Sequence, residues 1–395
     1  VPVENPRSGL NVVGLFAGIG GIEVGLKESG HQSKLLCEID DFARSVLGTR
    51  FDGVEAHSDV TTLESLPPCD LIAAGFPCQD LSQAGRTAGI GGSQSSLVEH
   101  VFRLLDSAEP TPTWLLLENV SFMLSLDGGN AMRWLVEQLE DRGFSWAYRV
   151  VDSQAFGLPQ RRQRVLLLAS RSEDPRPVLL NQEEQPDLSD DHGQELGCGF
   201  YWTEGLRGLG WAVDAVPTLK GGSGLGIPSP PAIWTPGSGS LVTPEIRDAE
   251  QLQGFPVDWT IPTAEPGDRR AHRGRWKLVG NAVSVPVARW LGERLWTTEP
   301  YCRPDSELRG NRWPRAASGR NGKRHEVPVS MWPVRWNRPH LLDLLQFEPQ
   351  PLSARATTGF LDRAERGNLR IPEDFLCEAR AHLASMTATP QLAAA

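Results

Sequence analysis

Cys78 lies in Gly75-Phe76-Pro77-Cys78-Gln79, just after the apolar run that starts at Leu71. Pro77 restricts the backbone and is expected to hold Cys78 outward on a loop, where its thiolate can act as a nucleophile. The alternative is a free cysteine packed as a small hydrophobe. Glu118-Asn119-Val120 closes a second apolar run, Trp114 to Leu117. A carboxylate behind such a run is expected to be partly desolvated, which raises its pKa and suits it to donate a proton; an ordinary strand-end cap is the other reading. In Gln160-Arg161-Arg162-Gln163-Arg164, strand alternation puts Gln160, Arg162 and Arg164 on one face. Two guanidiniums there suit a phosphate, a carboxylate or a base carbonyl, or else form a solvent-facing edge.

A third kind of chemistry is binding by backbone. Phe16-Ala17-Gly18-Ile19-Gly20-Gly21 follows the first apolar run, and glycines at a strand-to-helix turn let a ligand lie against the main chain. A tight turn with no ligand is the plainer alternative. The sixth position of a dinucleotide fingerprint here is Glu23, which argues against NAD. Glu38 stands 20 residues after Gly18, at the end of the second strand, where a carboxylate can accept both ribose hydroxyls. Asp59 is placed to bond an adenine amino group. An adenosine-bearing ligand without a pyrophosphate fits, and S-adenosylmethionine is one.

These residues need a scaffold that gathers strand ends. Across 10–170, apolar runs (NVVGLF, KLLCEI, DLIAAGF, WLLLEN, RVLLLAS) alternate with amphipathic stretches, several ending at Gly. That pattern predicts an α/β fold with a doubly wound, mostly parallel sheet. From Glu173 to Glu195 there are eight acidic residues, one Arg and three prolines, which predicts an exposed loop. The Gly/Pro/Ser/Trp-rich stretch to Thr243 suggests a small irregular or β-containing unit. Helical pattern returns at Pro244 to Leu252, Val283 to Trp296, Ala354 to Arg366 and Glu373 to Ser385.

With 395 residues, 39% hydrophobic and 22% charged, the chain has material for a sizeable core and is not disordered. No apolar run approaches a membrane span, and the first residues do not read as a secretory signal, so a soluble, cytoplasmic protein is expected. None of the six cysteines is spaced C-x-x-C, which disfavours a zinc site or a disulfide scaffold; no metal is expected. The net charge of −10 hides an asymmetry: Arg269 to Lys277 holds five basic residues, and Arg303 to Arg338 nine basic against three acidic. A basic face on an acidic body, able to meet nucleic acid, is one reading and a solvated surface the other. Trp313, Trp332 and Trp336 in the tail either stack on nucleic acid or pack on the core.

Taken together, FAGIGG, PCQ, ENV, QRRQR, RDAEQLQGFP (Arg247 to Pro256) and Gly280-Asn281-Ala282-Val283, in this order, resemble the DNA cytosine-5 methyltransferases of bacterial restriction–modification systems. The resemblance covers about 1–170 and 243–299. It implies an S-adenosylmethionine-dependent methyltransferase fold, with a catalytic and cofactor domain over 1–170, a target-recognition region over 171–243, a returning segment over 244–299 and an extension over 300–395. By this likeness Phe16, Gly18 and Gly20 form the cofactor loop with Ala17, Ile19 and Gly21. Glu38 holds the ribose, Ile39 lies beside adenine, and Asp59, Val60 and Leu97 complete that site. Cys78 is the nucleophile, Glu118 the acid at the cytosine ring, and Arg162 and Arg164 bind the target nucleotide and the Cys78 loop. Asn281 and Val283 start the helix that closes the pocket, while Gln79, Gln160, Thr218 and Lys220 meet DNA. Gln251 departs from the pattern, standing where the family often has Arg.

The chemistry agrees with these residue types. Cytosine C5 is a poor nucleophile until a thiolate adds at C6 and a proton reaches N3. The base must first be flipped out of the duplex, which is the expected partner, with a monomer acting on it. A cognate endonuclease or other defence proteins are further expected partners. Two alternatives stay open here: a tRNA cytosine-5 methyltransferase on the same fold, and a non-catalytic DNA-binding scaffold.

Overall fold

The computed structural model describes residues 9–77, 97–186, 196–221, 229–261 and 269–388, without the side chains of 269–272. They form two compact units. The first is drawn from Val1–Phe156, Gln163–Pro186 and Ala282–Trp336, the second from Gly157–Arg162, Asp187–Asn281 and Asn337–Ala395. Among the described residues no helix is long and apolar enough to cross a membrane.

The first unit is built on a ten-stranded sheet. Its strands run in the order Ser306–Glu307, Lys323–Glu326, Ala316–Arg320, Ser145–Asp152, Gln163–Ser170, Trp114–Val120, Leu71–Ala74, Asn11–Leu15, Gln32–Cys37 and Glu55–His57. The five strands from Trp114–Val120 to Glu55–His57 are mutually parallel, as the alternation with helices predicts. Beyond them Gln163–Ser170 turns antiparallel, against both Trp114–Val120 and Ser145–Asp152, so the whole sheet is mixed.

Each strand sends alternate side chains to opposite faces. Leu115 and Leu117 join one apolar cluster with the helices Leu97–Ser107 and Asn130–Asp141. Leu116, Ala73 and Val12 join another with Gly21–Glu28 and Val285–Arg294. A buried leucine of this kind contributes about 1.5–3 kcal/mol, which fixes the strand ends that carry the motifs.

One expectation needs correction. The acidic stretch is not all loop: Arg176–Leu180 is a short helix whose Val178, Leu179 and Leu180 are buried, because the Pro-Val-Leu-Leu run is apolar enough to pack. The tail tryptophans follow the packing alternative, fully for Trp313 and in part for Trp332 and Trp336. Trp313 is buried and donates from Nε1 to the Gly129 carbonyl (2.9 Å), while Trp332 and Trp336 pack against the core.

The second unit carries an antiparallel sheet ordered Ala212–Val213, Cys198–Phe200, Ala232–Trp234, Leu241–Thr243 and Gln350–Pro351. Its core is aromatic. Phe200, Trp211 and Trp234 meet Phe360 and Phe375 from the helices Ala354–Arg366 and Glu373–Ala388. Those helices are further held by Glu378, whose carboxylate accepts from Trp234 Nε1 (3.2 Å), Gly237 N (2.9 Å) and Gly239 N (2.9 Å).

Candidate active site

The motif residues of the first unit lie along one edge of the sheet, where its parallel strands end. After Leu15 the chain takes positive φ at Phe16 (57°), Gly18 (57°) and Gly20 (86°). Such values are uncommon outside glycine, so Phe16 holds a strained turn. Backbone hydrogen bonds set the turn: Ala17 N donates to Cys37 O (3.0 Å) and Gly20 N to Ala17 O (2.9 Å). Gly18 N donates to Glu38 Oε2 (2.8 Å) and Asp40 N to Glu38 Oε1 (2.8 Å). Each Glu38 oxygen thus takes one backbone donor and keeps a lone pair, the arrangement a ribose diol requires. A Cβ at Gly18 would meet nothing within 4 Å, so the turn faces open space.

Beside Glu38, Ile39 is 70% exposed, an apolar surface suited to an adenine ring. Arg44 pins that strand end through the carbonyls of Glu38 (2.9 Å) and Ile39 (2.6 Å). Asp59 accepts from Thr61 N (2.8 Å), and this bond leads the causes that hold its carboxyl below the usual range. Leu97 opens the helix Leu97–Ser107 and is half-buried on the core. That helix supplies Arg103, which donates to Val60 O (3.0 Å). Ile19 and Val60 are buried, so their side chains are core, and any ligand would meet their backbone.

The carboxylate of Glu118 is the centre of a second group. It is almost fully buried, as the preceding apolar run predicts, and Arg164 Nε reaches its Oε1 at 3.0 Å. Register explains the pair: Arg164 stands opposite Val120, two residues from Glu118 and on the same face. A Cβ at Gly75 would stand 3.4 Å from Glu118 Oε2, and 4.0 Å from both Phe16 O and Val283 Cγ2. Gly75, Glu118, Phe16 and Val283 therefore converge. Asn119 was not assigned a role from sequence, yet its Nδ2 donates to Phe76 O (2.9 Å) and so anchors the turn that leads to Pro77. The signal was available, since a polar amide in an apolar strand must find a partner. Cys78 and Gln79 lie outside the described residues.

Glu23 also went unassigned. It sits in the first turn of Gly21–Glu28, between buried Ile22 and Leu26, and is itself buried. Its carboxyl fills the space beside Gly14, where a Cβ would fall 2.2 Å from Oε1. Burial, reinforced by the charge of Glu38, pushes it up to about 7 against the pull of its own backbone hydrogen bond.

In the second unit Gln160 and Arg162 turn inward, whereas Thr218 is half-buried and Lys220 exposed. Gln160 is fully buried: Oε1 accepts from Leu219 N (3.0 Å), and Nε2 donates to Leu252 O (2.8 Å) and Gln253 Oε1 (3.2 Å). It does not face DNA, because both ends of its amide are used. Arg162 is buried as well, donating to Leu219 O (3.0 Å) and Gly280 O (3.2 Å). Thr218 Oγ1 donates to Arg161 O (2.8 Å), and Lys220 Nζ reaches Glu204 Oε1 at 2.5 Å and lies 3.5 Å from the Tyr201 ring centroid. Asn281, exposed, belongs to this unit and Val283 to the other. Gly280 has to be glycine, since a Cβ would meet the Lys220 carbonyl carbon at 2.2 Å.

A family model for C-5 cytosine-specific DNA methylases matches residues 10–198. The type II methyltransferase M2.BsuMI of Bacillus subtilis (strain 168) is 49% identical over 377 residues, covering 93% of this chain and 96% of that protein. M.BsuFI of Bacillus subtilis is 35% identical, over 75% of this chain and 76% of its own. The solved S. pombe Dnmt2 methyltransferase shares the fold, with a TM-score of 0.54 at 16% identity, over 72% of this chain and 98% of that one. Likeness that runs nearly end to end, joined to the convergence of motifs at one sheet edge, means that the chain belongs to the C-5 cytosine-specific DNA methylases of bacterial restriction–modification systems and is a DNA (cytosine-5) methyltransferase.

Proposed function

We propose that this enzyme methylates C5 of a cytosine flipped out of duplex DNA within a specific sequence, through a transient bond between Cys78 Sγ and C6. The supporting observation is the convergence of Glu118 with the Gly75–Pro77 turn, its carboxylate held by Arg164 and the turn anchored by Asn119. That turn leads directly into Cys78. Thiolate addition at C6, with a proton from Glu118 to N3, converts the ring to an enamine whose C5 is nucleophilic. S-adenosylmethionine, when bound, supplies a methyl on a positive sulfur. Glu38 accepts the ribose hydroxyls, Ile39 covers the adenine and the Phe16–Gly21 turn presents backbone to the rest. Once C5 has taken the methyl, loss of the C5 proton to a base, return of the N3 proton to Glu118 and expulsion of the thiolate release the product.

Arg162 acts at one remove, holding the Leu219 and Gly280 carbonyls. Thr218, Lys220 and Gln79 are our assignments for contact with DNA. The protein would work as a monomer in the cytoplasm, protecting sites against a cognate endonuclease.

Duplex DNA carrying 5-fluorocytosine at the target tests the reading. With S-adenosylmethionine present, a covalent enzyme–DNA complex that survives denaturation is expected, and Cys78→Ala should abolish both trapping and methyl transfer. Transfer that persists in Cys78→Ala would refute the nucleophile, and labelling of tRNA alone would overturn the substrate.

A further inference from the structure

The second unit contains a turn, Tyr201–Leu209, that presents two exposed side chains, Leu206 and Arg207. Leu206 is 51% exposed, and Arg207, also exposed, makes no ion pair or hydrogen bond among the described residues. Everything beneath them is fastened. Tyr201 N donates to Leu209 O (2.7 Å), Glu204 N to Tyr201 O (3.1 Å) and Gly205 N to Gly208 O (3.1 Å). Trp202 Nε1 donates to Pro230 O (2.9 Å).

A further fastening comes from the helix Ala354–Arg366. Arg363 donates from Nη2 to Trp202 O (2.7 Å) and from Nε to Glu204 O (3.1 Å). Close approach makes this possible. A Cβ at Gly205 would stand 3.1 Å from Arg363 Cβ, and one at Gly367 would stand 2.5 Å from Gly205 O. Gly205 itself has φ 137°. The turn is thus preformed, and its rigidity is supplied by a residue about 160 positions away.

A line of contacts leaves the turn in the other direction. Glu204 pairs with Lys220, which covers the Tyr201 ring; Tyr201 Oη donates to Thr218 O (2.8 Å), and Thr218 Oγ1 to Arg161 O (2.8 Å). Arg161 is exposed and, like Arg207, forms no ion pair among the described residues. With Lys220 and Glu204 cancelling, this strip keeps two available guanidiniums and one exposed leucine. A guanidinium fork reads guanine O6 and N7, an apolar side chain reads the thymine methyl, and a further cation meets phosphate.

We propose that the Tyr201–Leu209 turn reads base edges of the duplex, with Arg207 and Leu206 as its contact side chains and Arg363 as the residue that positions it. The assignment rests on the proposed action on duplex DNA. Preorganisation is what a reading element needs, since an unfastened loop loses discrimination to disorder.

The test measures methylation of a duplex library by the full-length enzyme and by Arg207→Ala, Leu206→Ala, Arg363→Ala and Arg363→Lys. Arg207→Ala should lower kcat/KM at the preferred site about ten- to a hundredfold and spread methylation to sites differing at one base pair. Leu206→Ala should do the same more weakly. Arg363→Ala should raise KM for DNA and broaden the site while S-adenosylmethionine binding to the free enzyme is unchanged, with partial rescue by Arg363→Lys. Unaltered sites and rates in Arg207→Ala and Leu206→Ala would overturn the proposal alone. A wild-type enzyme that labels no cytosine in duplex DNA would instead sink the functional reading on which it rests.

Discussion

The sheet edge of the first unit and the Gln160–Arg162 strand of the second carry the same kinds of side chain and use them in opposite ways. At the edge, Glu38 takes one backbone N–H on each oxygen and keeps lone pairs over. In the strand, Gln160 and Arg162 commit their amide and guanidinium to carbonyls of their own unit. A polar motif residue can thus serve either by meeting a ligand or by holding the backbone that does. Burial with hydrogen bonds to backbone carbonyls of the same unit marks the second kind.

This contrast sorts substitutions by what they should damage. Glu118→Gln removes the proposed proton donor and should cut kcat by about 10²–10⁴ with S-adenosylmethionine affinity retained; a rate within threefold of wild type would remove Glu118 from the chemistry. Arg162→Ala leaves two buried carbonyls without their donor and should cost about 2–4 kcal/mol in denaturant unfolding. If stability holds while turnover vanishes, Arg162 belongs with the ligand-facing group and the contrast breaks.

Glu23 stands between the two groups, buried at the ligand edge. Its pKa of about 7 exceeds the usual 4.5, so the stability tied to its proton is complete below 4.5 and is lost as pH rises through 7. Glu23→Gln, neutral throughout, should gain up to about 3 kcal/mol over wild type at pH 8 and nothing at pH 4; parallel Tm-against-pH curves would contradict this. The smallest expected effect is that of Glu38→Gln, which should weaken S-adenosylmethionine binding by about 1–2 kcal/mol with little change in Tm. A large fall in Tm would mean that Glu38 mainly ties Gly18 to Asp40.

Much of the parallel half was readable because its runs are uniformly apolar. The strand Ser145–Asp152 was not, since Trp146, Tyr148 and Arg149 interrupt the pattern. Arg149 is buried there only because it can reach the carbonyls of Ser330 (2.8 Å), Leu179 (3.1 Å) and Gln182 (2.6 Å), all distant in the chain. Burial lowers its pKa to about 10, against the nearby charge of Glu183. The helix Arg269–Asn281 was hidden in the same way by its basic residues, which read as a charged surface.

Local pattern alone identified the glycine turn, Glu38, Glu118 and the order of the motifs, because spacing and residue type are properties of neighbours along the chain. Only the folded chain decided that Asn119 anchors Phe76, that Gln160 and Arg162 face inward, and that the tail divides, its 300–336 portion joining the first unit and the helices after 353 the second. Those outcomes depend on which carbonyls and aromatic faces come within a few ångströms across separations of tens to hundreds of residues. A hydrogen bond or a packed ring has no signature until both partners are in place.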